Sequence, residues 1–451
     1  MSIEMAIRNG RVWIEGQGFQ DVDLGIDDGK VVAIGRNGAV PQATREVDAT
    51  GLQVIPGLID THVHLRDPGF TYKEDYETGT RAAASGGVTM VIDMPNVNPV
   101  PNTVERFIAH RENARTKSWV DFNHWASPTR PDEVAGIVAE GAAGFKFFMI
   151  SHHYPYDNPD QFVLEPYEMA RILTAVAATG RPLLVHPHNQ LMWNLVYKEY
   201  VEAGRTSPED REEAYILHQN FNQASAEATL FLLAKSTGCD LRLLHNNWKP
   251  LLHFVRTMKA GGYHAVIEQN PWALWGFGVK DQVKDEDELW RSLNDGTVDV
   301  IASDHAPHTD DEVATADGNA FDSVISSITS IEHMLSLYCT EINGQGRITL
   351  ERLVELFCTN VAKHIGVYPR KGTLQIGSDA DITMIDMDRH MTIGDEPFKT
   401  KANNSPYLGM KVQGVPLHTL VRGRFVMENR EMVGETGYGE FIVPTTNRSF
   451  R

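Results

Sequence analysis

Asp60, His62, His64 and Arg66, in "GLIDTHVHLRDPG" at positions 57–69, have types and spacing that permit chemistry. In a β-strand side chains alternate between faces, so these four fall on one side and Ile59, Val63 and Leu65 on the other. The apolar side suits a core. Two neutral imidazoles side by side on a rigid strand form a chelate for a divalent metal. A pair of hydrogen-bonded core histidines would have the same spacing, so the rest of the chain has to discriminate.

Other apolar runs end in residues of the same kind. Lys146 lies in "GFKFFM", His186 ends "LLVHPHN", His245 ends "LRLLHNN" and Asp304 ends "VIASDH". With His62 and His64 they form a set of N and O donors suited to two divalent metals. A lysine in an apolar strand is expensive unless its charge is removed or paired. Carboxylation by carbon dioxide would make Lys146 an anionic carbamate able to bridge two ions ~3.5–4 Å apart. A water between the ions would ionise near neutral pH. Asp304 would orient it, take its proton and pass that proton to a leaving nitrogen. The chemistry is metal-assisted hydrolysis of a polarised carbonyl.

The elements that must position these residues are legible as well. Strand candidates "GVTMVIDMPN", "GFKFFMI", "RPLLVHPHN", "DLRLLHNN", "YHAVIEQN" and "VDVIASDHAPH" alternate with helical stretches such as "YEMARILTAVAATG", "PLLHFVRTMKAGG" and "DEDELWRSLNDG". Residues 207–237 read as a long helical insertion. This alternation predicts a (β/α)8 barrel over residues 56–370, with the polar strand ends converging on one face. Residues 1–55 and 371–451 read instead as short strands and turns, so a small composite β-sandwich domain built from both termini is expected.

Composition is consistent with a soluble enzyme. The 451 residues carry 41 Lys+Arg against 60 Asp+Glu, a net charge of −19 that disfavours a nucleic-acid partner. The N-terminal "MSIEMAIRNG" lacks signal-peptide character, and no apolar run approaches the roughly 20 residues of a membrane span. Cys239, Cys339 and Cys358 are widely spaced without a CxxC, which suits reduced thiols in the cytoplasm.

"GLIDTHVHLRDPG", "GTRAAASGGVTMVIDMPN", "GFKFFM", "VHPHN", "SDHAPH" and "RKGTLQIGSDADITMID", in this order, resemble the amidohydrolase superfamily in its cyclic amidohydrolase branch. That branch includes dihydroorotases, allantoinases, hydantoinases and dihydropyrimidinases. The resemblance implies that His62, His64 and Asp304 bind the more buried metal and that carboxylated Lys146 bridges both. His186 and His245 would hold the exposed one. Zinc fits these donors, with manganese, cobalt or iron as alternatives. A dimer or tetramer is also implied.

Which small cyclic amide is the substrate depends on further residues. "HLRDPGFTYKED" followed by "DMPN" looks most like dihydroorotases, where the positions of Arg66, Asn96 and His308 hold a substrate carboxylate. A fixed guanidinium fork is the natural partner of such an anion. "GFKFFM" is closer to allantoinases and hydantoinases. His188 stands where the family usually has an acid, "HNNW" replaces the usual small pair, and "QNPWALW" would bring Asn270 and Trp272 to the pocket wall. His152, His153 and Tyr154 are candidates for a pocket wall or lid, and residues 309–322 for a covering loop. The alternatives to a carboxylate-bearing ring are a cyclic ureide and a non-catalytic scaffold related to dihydropyrimidinases. The retained donor set argues against the scaffold.

Overall fold

Eight parallel strands run in sequence order through the middle of the chain: Leu58–Val63, Val88–Asp93, Asp121–Ala126, Gly144–Phe148, Leu183–His186, Leu241–Leu243, Val266–Gln269 and Val300–Ile301. Nearly all their residues are buried, which is why they read as continuous apolar runs rather than as alternation. Val63 pairs in parallel with His305 just beyond the eighth strand, and this closes the sheet into a barrel. The computed structural model describes every residue except 1, 37, 152–157, 159, 276–285, 314–317, 323–326 and 446–451.

The third strand escapes the sequence patterns because "DFNHWA" places Asp121, Asn123 and His124 at buried positions. Tertiary partners meet most of this polarity, although His124 Nε2 has none among the described residues. The Asn123 amide donates to the carbonyls of Gly141 (2.9 Å) and Ile442 (2.7 Å), and the Trp125 indole donates to Thr61 O (2.8 Å). The first strand ends at Val63. Arg66 therefore does not continue its alternating face as the spacing suggests; it sits in the following loop at φ 60°.

The expected helices form with close boundaries: Pro166–Ala177, Lys249–Ala260, Glu286–Asn294 and the 30-residue Pro208–Thr237. The last starts in a capping box, in which Ser207 and Asp210 each accept the other's backbone N–H, and stops at Gly238 with φ 72°. Among the described residues no helix is long and apolar enough to cross a membrane.

Both termini contribute to the remaining sheets. A four-stranded sheet comes from residues 3–48, and a seven-stranded one joins Arg11–Ile14, Gly18–Asp21 and Gln53–Pro56 to the strands of residues 382–432. Asn9, at φ 61°, turns the chain from one sheet into the other rather than closing a hairpin. Ile7, Leu24 and Val31 of the small sheet pack with Val12, Val54, Ile382 and Leu420 of the larger. The three cysteines are buried and form no disulfide.

A buried charge cluster fastens the C-terminal sheet to the barrel. The Lys371 ammonium meets Asp379 (2.9 Å), Asp381 (2.6 Å) and Asp121 of the third barrel strand. Arg422 also contacts Asp121. Removing one partner of such a cluster leaves uncompensated buried charge. Lys371→Ala is expected to cost ~3–5 kcal/mol, read as a lower midpoint in chemical denaturation. A midpoint equal to that of the wild type would contradict this assignment.

Candidate metal centre and anion subsite

The polar residues named above gather at the C-terminal ends of the barrel strands. Lys146 lies within the fourth strand and His186 ends the fifth, while His245 and Asp304 lie just past the sixth and eighth. Arg66 (φ 60°), His245 (φ 73°) and Asp304 (φ 50°) occupy the left-handed region, which is costly for residues with a side chain. Three such residues around one centre mark a place where surrounding structure enforces a geometry.

Hydrogen bonds fix the protonation of the first histidine pair. His62 Nδ1 lies 2.6 Å from Glu268 Oε1. Glu268 also takes the Arg242 guanidinium at 2.5 Å and the Asn270 amide at 3.0 Å. Burial pushes the Glu268 carboxyl up, but His62 and Arg242 outweigh it and hold it at about 2. Being ionised, Glu268 only accepts, so His62 Nδ1 carries the proton. His64 Nδ1 likewise donates to Asn96 Oδ1 at 2.6 Å, and burial lowers His64 to about 3, so its ring stays neutral.

The other ring nitrogen of each histidine faces Asp304. His62 Nε2 lies 3.1 Å and His64 Nε2 3.6 Å from Asp304 Oδ1. Burial works to raise the Asp304 carboxyl, and the surrounding His62, His64 and His245 rings override it, keeping it ionised. Two imidazole nitrogens and a carboxylate oxygen thus converge within 4.8 Å of one another in a buried place. Neutral rings would turn lone pairs toward that oxygen, which is repulsive unless a proton or cation lies between. A divalent cation satisfies all three at once, so the donor set fits one.

A second group adjoins it. His186 Nδ1 and His245 Nε2 are 2.6 Å apart, and the His245 ring lies 6.1 Å from that of His62. The Lys146 side chain is fully buried, and its Nζ makes no hydrogen bond among the described residues. It lies 4.2 Å from the centre of the Phe148 ring. Burial pulls its pKa to about 7 against the attraction of Glu268 and Asp304. A large share is therefore free amine near neutral pH, the form that reacts with carbon dioxide. His188, which replaces the expected acid, is buried and lowered to about 3.

The expected substrate residues divide. Arg66 is buried; its Nη2 donates to His308 Nε2 (3.1 Å) and its Nε points to Pro307 O (3.4 Å), while Nη1 has no partner among the described residues. Asn96 Oδ1 accepts from His64, and its buried Nδ2 has no partner among the described residues. The Asn270 side chain is fully buried; its Nδ2 donates to Glu268 and to Ala302 O (3.0 Å), supporting the histidines, while its Oδ1 has no partner among the described residues. Trp272 does reach the centre, its indole donating to Asp304 Oδ2 at 3.1 Å. His152, His153, Tyr154 and residues 314–317 lie outside the described residues.

Sequence reasoning missed Glu268 and Arg242. Each is the one charged residue in a short apolar strand, "VIEQ" and "LRL", the same signal that singled out Lys146. It also missed Glu227, buried on the long helix that packs on the sixth strand. Glu227 Oε1 accepts from Gln223 at 2.9 Å, and burial raises its carboxyl to about 8.

The amidohydrolase family model matches residues 53–426. The chain is 31% identical to an L-hydantoinase of Paenarthrobacter aurescens, over 97% of this chain and 98% of the relative. It is 31% identical to a dihydroorotase of Ligilactobacillus salivarius (94% and 99%) and 30% identical to an allantoinase of Solibacter usitatus (98% and 98%). Among solved structures, an L-hydantoinase from Arthrobacter aurescens superposes with a TM-score of 0.90 at 29% identity, covering 98% of this chain and 100% of that one. A dihydropyrimidinase from Brevibacillus agri gives 0.88 at 26%, covering 98% and 99%.

Glu227 makes stability depend on pH in a defined direction. Between its ordinary 4.5 and about 8 the folded chain holds a proton that the unfolded chain releases. Stability therefore falls as pH rises through this window, by at most about 1.4 kcal/mol per pH unit. Glu227→Gln is expected to remove this slope. Denaturation midpoints of both proteins at pH 6 and pH 8 check it, and equal losses in the two would contradict it.

Proposed function

The chain belongs to the amidohydrolase family and is a hydrolase of cyclic amide C–N bonds, and we propose that the ring it opens carries a carboxylate. The observation that carries this reading is a pair of buried donors without partners among the described residues, Arg66 Nη1 and Asn96 Nδ2. Buried donors of this kind cost free energy until an acceptor arrives, and a carboxylate offers two oxygens. Asn96 is hydrogen-bonded to His64, so an anion held there lies beside the metal centre.

Two divalent ions, zinc foremost, belong to the same reading. His62, His64 and Asp304 would hold one, His186 and His245 the other, and Lys146, carboxylated at Nζ, would stand between them. When bound, such ions supply Lewis acidity, polarising the scissile carbonyl and favouring ionisation of water near neutral pH. Lys146 contributes its amine: Nζ attacks carbon dioxide, loses a proton and becomes a carbamate. Asp304 handles the proton of hydrolysis. It accepts the proton from the attacking water as the O–C bond forms, and returns it to the ring nitrogen as the C–N bond breaks. The Trp272 indole holds one Asp304 oxygen, and Glu268 holds the His62 ring in one tautomer.

The likeness to L-hydantoinase supports a second reading, an uncharged cyclic ureide, in which Arg66 would be structural. Ring-opening assays on dihydroorotate, dihydrouracil, hydantoin and allantoin separate the two. Dihydroorotate is expected to be the best substrate, and Arg66→Ala is expected to raise its KM by on the order of 10–100-fold, the worth of one charge-assisted hydrogen bond. Turnover of hydantoin or allantoin that Arg66→Ala leaves unchanged would overturn the carboxylate reading.

A further inference from the structure

Arg66 is itself held by a chain of contacts. A guanidinium only donates, so His308 Nε2 must accept from Arg66 Nη2 at 3.1 Å. Burial, with Arg66 beside it, lowers His308 to about 4, and the neutral ring therefore carries its proton on Nδ1. That nitrogen lies 3.2 Å from Glu312 Oε2. Glu312 Oε1 takes the Lys73 ammonium at 2.6 Å and the Tyr72 hydroxyl at 3.0 Å. Lys73 Nζ also comes within 3.4 Å of His308 Nδ1, without being able to share the proton already placed there. Lys73 is buried, and this carboxylate is a charge partner for it. Glu312 also accepts the Thr309 backbone N–H at 3.3 Å, which anchors its own short helix, Asp310–Val313.

We propose that Glu312 is a positioning residue for anion capture: it fixes His308 in the tautomer that aims Arg66, and by binding Lys73 and Tyr72 it clasps the loop after the eighth strand to the loop after the first. This rests on the carboxylate reading above. Nothing between Glu312 and the substrate is loose in this arrangement. The links from Glu312 through His308 to Arg66 each pair one donor with one acceptor, and among the described residues Arg66 Nη1 has no partner. Without Glu312, His308 Nδ1–H loses this acceptor, the ring is free to turn, and Lys73 loses its ion pair with Glu312.

Binding of two non-hydrolysable rings that differ only by a carboxylate, orotate and uracil, tests this on the metal-loaded enzyme. Glu312→Ala is expected to weaken orotate by about tenfold, the worth of one hydrogen bond, and to leave uracil within twofold. Glu312→Gln, which keeps an acceptor oxygen, is expected to lie nearer the wild type. In a His308→Asn background, Glu312→Ala is expected to weaken orotate less than it does in the wild type, because the two share one chain of contacts. Parallel weakening of orotate and uracil would overturn the proposal in favour of general loop damage. Unchanged orotate binding in Glu312→Ala, alongside weakened binding in Arg66→Ala, would overturn it alone. Unchanged orotate binding in Arg66→Ala would overturn the carboxylate reading and this proposal with it.

Discussion

Two imidazole nitrogens and a carboxylate oxygen are forced together inside the mouth of a barrel, and most of the surrounding structure exists to hold them there. Left alone, His62, His64 and Asp304 would turn away from one another or take up protons. Glu268 and Asn96 prevent this by engaging the far nitrogen of each ring at 2.6 Å. Glu268 is in turn anchored by Arg242 and Asn270, and the far oxygen of Asp304 by Trp272. The cost of bringing electron-rich atoms together is set by folding, and the natural remedy is a cation.

The same economy runs through Lys146. An ammonium with no hydrogen bond in a fully buried strand is unstable as a charge, and its depressed pKa expresses that. Neutralisation to an amine relieves the burial, and carboxylation would convert the residue into the anion that a pair of cations requires. The barrel supplies rigidity for this because its strands are buried on both sides and closed at Val63 and His305. The terminal sheets brace it from outside through Lys371 and its three aspartates.

Much of this was legible in the sequence because chemistry interrupts apolar runs. His186, His245, Lys146 and Asp304 stand out against strands of Val, Leu and Phe, and their convergence follows from barrel topology. The third strand was not legible, because Asp121, Asn123 and His124 break its apolar run for reasons that only tertiary partners reveal. The contacts of Asn270 were not legible for a related reason. Its place after a strand suggested a pocket wall, and the fold shows its Nδ2 donating to Glu268 and the Ala302 carbonyl. Arg66 was placed on the strand face by alternation, but a positive φ turns it into the loop. Glu312 lies 246 residues from Arg66 in sequence, and only the folded loops bring its chain of contacts together.

On the proposed reading, this donor set would serve two divalent ions together with a carboxylated Lys146. Elemental analysis of gently purified protein, run beside Lys146→Ala, tests it directly. Two divalent ions per wild-type chain are expected, with a clear loss of stoichiometry in Lys146→Ala at retained fold. A wild-type chain that folds, stays monodisperse and binds no divalent ion when offered zinc, manganese, cobalt or iron would contradict it.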